Sequence, residues 1–105
     1  METPNLNYII ELSGGDLEFQ AKIVDVLKKE FPEELNLYKE TAKTKDFKKT
    51  AGIVHKIKHK ISILGLEKGY EQANQYEKEL ISNKDCSGTK FEDILNQISV
   101  YLSKI

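Results

Sequence analysis

Over residues 16–42 apolar side chains recur at helical spacing, as Phe19, Ile23, Val26, Leu27, Phe31, Leu35, Tyr38 and Ala42. The spacing predicts a long helix, with Asp16 as its N-cap after the break "SGGD" at 13–16. Pro32 falls inside it. Proline removes a backbone hydrogen bond and clashes with the preceding turn, so the expectation is one kinked helix or two helices meeting there. A second stripe, Phe47, Thr50, Val54, Ile57, Ile61 and Leu64, advances by alternating steps of 3 and 4. That is a helix facing a core along one narrow seam, capped by Thr44 or Asp46 and ended or bent by Gly65. A third helix is predicted over 67–82, with Tyr70, Ala73, Tyr76 or Glu77, Leu80 and Ile81 inward. Residues 82–88 read as a loop. The last helix carries Phe91, Ile94, Leu95, Ile98, Tyr101, Leu102 and Ile105, and Thr89 with Glu92 reads as a capping box at its start. Residues 5–12 predict a short leading helix with Leu6, Ile9, Ile10 and Leu12 on its apolar side. Nothing alternates with period two for long enough to make a strand. The expected fold is all-α, an antiparallel four-helix bundle with a short additional N-terminal helix.

Length narrows the functions this bundle can have. A chain of 105 residues makes one domain, 1–105, with room for a core and not for a deep substrate cavity as well. No apolar run approaches the ~20 residues that span a bilayer, and no signal-peptide pattern opens the chain, so a cytoplasmic setting without membrane contact is expected. The single cysteine, Cys86, fits a reducing compartment and reads as incidental. With no second thiol, a thiolate zinc site is excluded. Net charge is −1, which lacks the basic excess of a nucleic-acid binder. The charges are nevertheless uneven, since Lys43, Lys45, Lys48, Lys49, Lys56, Lys58 and Lys60 crowd one third of the chain. A local positive field suits an anionic partner or ligand, and its plainer reading is a solvated lysine face.

The only two histidines, His55 and His59, stand one turn apart inside that lysine-rich segment. At ~100° per residue His55 lies roughly 130° from the centre of the core seam and His59 about 170°, so both face water. Lys58 lies about 70° off, on the flank of the core, where its stem can rest on apolar surface and its ammonium can reach out beside His55. Ala51 and Gly52, one turn back, leave the His55 ring uncovered. The pair could bind a metal, but no HExxH arrangement is present and Lys56, Lys58 and Lys60 oppose a cation, so no metal site is expected. Both could be ordinary surface residues. Alternatively His55 is a nucleophile: a neutral imidazole has a free ring nitrogen near pH 7 that can attack phosphorus, and nearby lysines would stabilise the anionic product.

The segment "VHKIKH", with Gly65 further on, resembles the His-x-x-Lys-Gly core of histidine-containing phosphotransfer (HPt) domains of two-component phosphorelays. The resemblance extends to "LSGGDLEFQAKIVDVLKKEFPEEL", to "KTKDFKKTAGIVHKIKH" and to "GLEKGYEQANQYEKEL", in that order, and so covers nearly the whole chain. It implies that His55 accepts a phosphoryl group from the aspartyl phosphate of a receiver domain and passes it to another receiver. Lys58 would assist the phosphoryl group, and Glu77 would hold the imidazole's other N–H. The docking face would include Lys48, Ala51, Gly52, Lys56, His59, Lys60 and Ser62. Receiver domains of response regulators or hybrid histidine kinases would be the partners of a monomeric carrier, with any Mg²⁺ supplied by the receiver. The chain has no Gly-rich phosphate loop, so it is expected to have no kinase activity and no cofactor of its own. Two residues depart from the pattern: His59 stands where the family usually has glycine, and Lys60 where a small residue is common. The rival expectation is a non-catalytic helical interaction module, a degenerate form of the same domain.

Overall fold

The computed structural model describes residues 2–84 and 88–105, and among them every regular element is an α-helix. These are α1 (Asn7–Ser13), α2 (Leu17–Lys43), α3 (Phe47–Ile63), α4 (Glu67–Ile81) and α5 (Gly88–Lys104). Short turns at 44–46 and 64–66 send the chain back on itself, so α3 lies antiparallel between α2 and α4. Helix α5 closes the bundle against α4 and α2, and α1 rests on α2. The 43 Å long axis of the molecule is set by α2, whose 27 residues span ~40 Å at the helical rise.

Local chemistry explains the ends of these helices. The Asp16 carboxylate accepts from the N–H groups of Glu18 and Phe19 at 3.0 and 3.1 Å, and so satisfies two of the donors that every helix start leaves open. Asp46, rather than Thr44, caps α3 and satisfies one such donor by accepting from Lys49 N–H at 3.2 Å. Gly65 turns the chain after α3 with φ of +78°, and a Cβ there would stand 2.6 Å from the Asn5 side chain. Only glycine suits both the left-handed backbone and that approach.

Helix α2 runs unbroken through Pro32. The proline is exposed, and the helix continues past it despite the backbone hydrogen bond it removes. At the start of α5 the helix already includes Thr89, so this residue is not the N-cap that the capping-box reading assigned. Cys86 lies outside the described residues.

The core holds Leu27, Phe31 and Tyr38 from α2, Val54, Ile57 and Ile61 from α3, Ala73, Tyr76 and Leu80 from α4, and Phe91, Leu95 and Ile98 from α5. Tyr38, Tyr76 and Phe91 form an aromatic cluster at its centre, and the Tyr38 and Tyr76 hydroxyls hydrogen-bond at 3.2 Å. Tyr70 and Tyr101 are partly buried against that core. Six apolar residues expected inside are exposed instead: Ile10, Leu12, Phe19, Val26, Ile81 and Ile105. The physical reason is coverage. Helix α1 is one short helix resting on α2 and buries only Ile9, Phe19 and Val26 lie beyond the strip of α2 that its neighbours cover, and Ile81 and Ile105 sit at chain positions where a helix ends.

The first turn of α4 has no cap from its own neighbourhood. Glu2 supplies one from far away in sequence. Its carboxylate accepts from the N–H groups of Lys68 and Gly69 at 2.9 and 3.0 Å, while its carbonyl accepts from Gln97 Nε2 at 2.8 Å. A carboxylate at a helix N-terminus gains both hydrogen bonds and the favourable end of the helix dipole. Glu2→Ala is expected to cost about 1 kcal/mol in urea unfolding and to speed hydrogen exchange at the Lys68 and Gly69 amides. Unchanged exchange at those two amides would contradict the capping role.

Candidate functional site

The seam of α3 is buried at Val54, Ile57 and Ile61, and this fixes where the other side chains of the helix emerge. His55 and His59 emerge on the exposed side. Their rings meet edge to face, with centroids 5.1 Å apart and planes at 87°. The His55 side chain keeps 54% of its surface exposed.

Glu77 of α4 faces it across the α3–α4 contact. Glu77 Oε2 lies 3.1 Å from His55 Nδ1, and Glu77 Oε1 lies 2.9 Å from Lys58 Nζ. One half-buried carboxylate therefore joins the histidine and the lysine. Lys58 also donates to Asn74 Oδ1 at 3.3 Å, and its ammonium lies 5.5 Å from the centre of the Tyr70 ring. The Lys58 side chain is only 9% exposed, so these contacts replace the water it has lost.

The arrangement has a chemical consequence. An ionised carboxylate only accepts hydrogen bonds, so Nδ1 must carry the proton for the 3.1 Å contact to be a hydrogen bond. When the ring is neutral, the lone pair then resides on Nε2. Placing Glu77 behind Nδ1 thus selects the tautomer in which Nε2 is the free, nucleophilic nitrogen.

The remaining residues of the expected docking face divide. Lys48, Gly52, Lys56, His59 and Ser62 are exposed. Ala51 is buried, at 6%. Lys60 is also buried and turns away from any open face: its ammonium lies between Glu30 Oε1 at 3.0 Å and Glu34 Oε2 at 2.9 Å, both on α2. Burial opposes the charged form of Lys60, but the hydrogen bonds and Coulomb attraction of Glu34 and Glu30 outweigh it and hold the ammonium's pKa above its ordinary 10.5. Lys60 is therefore a tie between α2 and α3 and not a free positive charge on the surface.

Gly52 carries no structural need for glycine, because a Cβ there would meet nothing within 4 Å. Gly52→Ala is expected to stabilise the fold by about 0.5–1 kcal/mol, through higher helix propensity and a less flexible unfolded chain. A denaturation midpoint that fails to rise would mean the helix is strained there in a way its open surroundings do not reveal.

Sequence reasoning did not find the partners Glu30, Glu34 and Asn74. A signal existed for each: Glu30 and Glu34 are spaced to share one face of α2, and Asn74 stands one turn before Glu77 on α4. Among the described residues no group of three or more His, Cys, Asp or Glu side chains is placed to hold a metal ion. No helix formed by the described residues is long and apolar enough to cross a membrane. Comparison with known proteins finds no matching family model, no matching curated protein and no matching solved structure.

Proposed function

We propose that this protein is a phosphorelay histidine phosphotransfer protein, with His55 as the phosphoryl carrier. The observation that supports this reading best is the 3.1 Å contact between Glu77 and His55 Nδ1, which leaves the lone pair to Nε2 on a side chain that is 54% exposed. In the first step the Nε2 lone pair attacks the phosphorus of a receiver's aspartyl phosphate. The N–P bond forms as the P–O bond breaks, and the aspartyl carboxylate leaves with the electron pair. The ring keeps its Nδ1 proton and becomes cationic, and Glu77 offsets that charge. The second step reverses the bond changes onto the aspartate of another receiver. Lys58 holds Glu77 in position through their 2.9 Å ion pair, and under this reading it is the lysine that assists the phosphoryl group.

The partners under this reading are receiver domains of response regulators or hybrid histidine kinases, met in the cytoplasm. Any Mg²⁺ belongs to the receiver. The protein is a carrier without kinase activity of its own, acts as a monomer, and needs neither nucleic acid nor membrane.

The test is transfer from a panel of phosphorylated receivers to the wild type and to His55→Gln, following acid-labile label on the product. Label on the wild type and none on the variant is the expected result. Label that persists in the variant would move the carrier to His59. A wild type that takes no label from any receiver, while folded, would leave a helical interaction module in place of a carrier.

A further inference from the structure

The phosphotransfer reading uses His55 and leaves unexplained why a second imidazole stands against it. The two exposed rings lie 5.1 Å apart, centroid to centroid. A divalent ion ~2.1 Å from one nitrogen of each ring, with a near-tetrahedral angle between the two bonds, sets the centroids roughly 5 Å apart. The observed centroid spacing falls in that range, and a rotation of the exposed His59 ring out of its edge-to-face contact would turn one nitrogen of each ring toward a shared ion without any change in α3. Glu77 behind Nδ1 gives His55 the support that ligating histidines commonly have, a carboxylate that fixes the tautomer and raises the basicity of the outward nitrogen.

Charge, which in the sequence argued against a cation here, is largely cancelled in the fold. Lys58 is paired with Glu77, and Lys60 with Glu30 and Glu34. Lys56 is exposed, and Lys22 lines the groove between α2 and α3 that His59 also borders. Four lysines thus stand against three carboxylates around the two rings, where the α3 sequence by itself offers only lysines.

We propose that His55 and His59 form a binding site for a borderline divalent metal ion of the Zn²⁺ type, with water completing the coordination. Imidazole nitrogen suits such ions, whereas Mg²⁺ and Ca²⁺ select oxygen ligands. A further consequence rests on the phosphotransfer reading. An ion on His55 Nε2 occupies the lone pair that attacks phosphorus, so metal and phosphoryl group exclude one another, and the metal acts as an inhibitor of the relay. His59 is then the residue that makes this carrier metal-sensitive.

Calorimetric titration with zinc chloride near neutral pH tests the site without reference to phosphorylation. One ion per chain is expected, with affinity falling at least about tenfold in His55→Gln and in His59→Gln, both verified as folded by circular dichroism. Affinity unchanged in either variant, or no binding up to millimolar zinc, overturns the site. Zinc added to the receiver-transfer assay is expected to slow labelling of the wild type in proportion to occupancy. Labelling that proceeds unchanged on zinc-saturated protein overturns the exclusion. A protein that binds zinc through both histidines yet takes no label from any receiver supports the metal site and sinks the phosphotransfer reading alone.

Discussion

Lys60→Ala is expected to lower the unfolding free energy by about 3 kcal/mol in urea or guanidinium titration. The expectation rests on what the substitution leaves behind. Glu34 has a side chain only 16% exposed, and its Oε1 is buried with no hydrogen-bond partner among the described residues. Its Oε2 has the Lys60 ammonium at 2.9 Å. Remove that ammonium and a largely buried carboxylate loses its counter-charge, which costs far more than the pair itself contributes. Glu30 matters less, since more than half of its side chain remains in water. The double variant Lys60→Met with Glu34→Gln is therefore expected to recover much of the loss, because it removes the stranded charge and keeps the apolar stem. A single variant as stable as the wild type would show that water already solvates Glu34.

The same pair predicts a pH effect of definite sign. The folded-state pKa of Lys60 is raised above its ordinary 10.5 by Glu34 and Glu30, despite burial. The contribution is thus fully present below about 10.5 and is lost as pH rises through the folded value. Wild-type stability should fall more steeply in that alkaline range than that of the Lys60→Met, Glu34→Gln double variant. Parallel curves would mean that Lys60 titrates alike in the folded and unfolded chain.

Periodicity located the helices well because each has a seam that must be buried somewhere. It placed His55 in water and Lys58 on the flank from angles alone. It could not say how wide a strip each neighbour covers, so Phe19, Val26 and Ile81 read as core and stand exposed. The resemblance put Lys60 on the docking face, and α3 by itself gave no view of α2 to correct it. The glutamates that draw Lys60 inward lie 26 and 30 residues earlier in the chain. The Glu2 cap on α4, more than sixty residues distant, is equally invisible to local pattern. Spacing offered Glu77 only as an alternative to Tyr76 on the inward side of its helix, and its role toward His55 entered through the family resemblance. Its geometry, a single carboxylate between His55 and Lys58, needed the packing of α3 against α4.

That geometry carries the other large effect. Glu77→Ala is expected to slow transfer of the phosphoryl group to His55 by about 100-fold under the proposed function. Two losses combine. The ring is freed to place its proton on either nitrogen, so the population with a lone pair on Nε2 falls. The positive charge that builds on the ring as the N–P bond forms also loses its carboxylate. Stability would drop as well, because among the described residues Lys58 keeps only Asn74 and the face of Tyr70 as partners. A measurement insensitive to stability is therefore needed. The ¹⁵N shifts of the His55 ring report the tautomer directly, and they should move toward a mixed population in Glu77→Ala. Glu77→Gln separates the two terms: its amide oxygen can still accept from Nδ1–H and restore the tautomer, but it brings no negative charge. A tautomer restored in Glu77→Gln with the rate still depressed would assign the effect to charge, and a rate restored with it would assign it to orientation. Should Glu77→Ala shift the ring to mixed tautomers and leave the transfer rate unchanged, Glu77 holds Lys58 and the fold together but takes no part in the chemistry of His55.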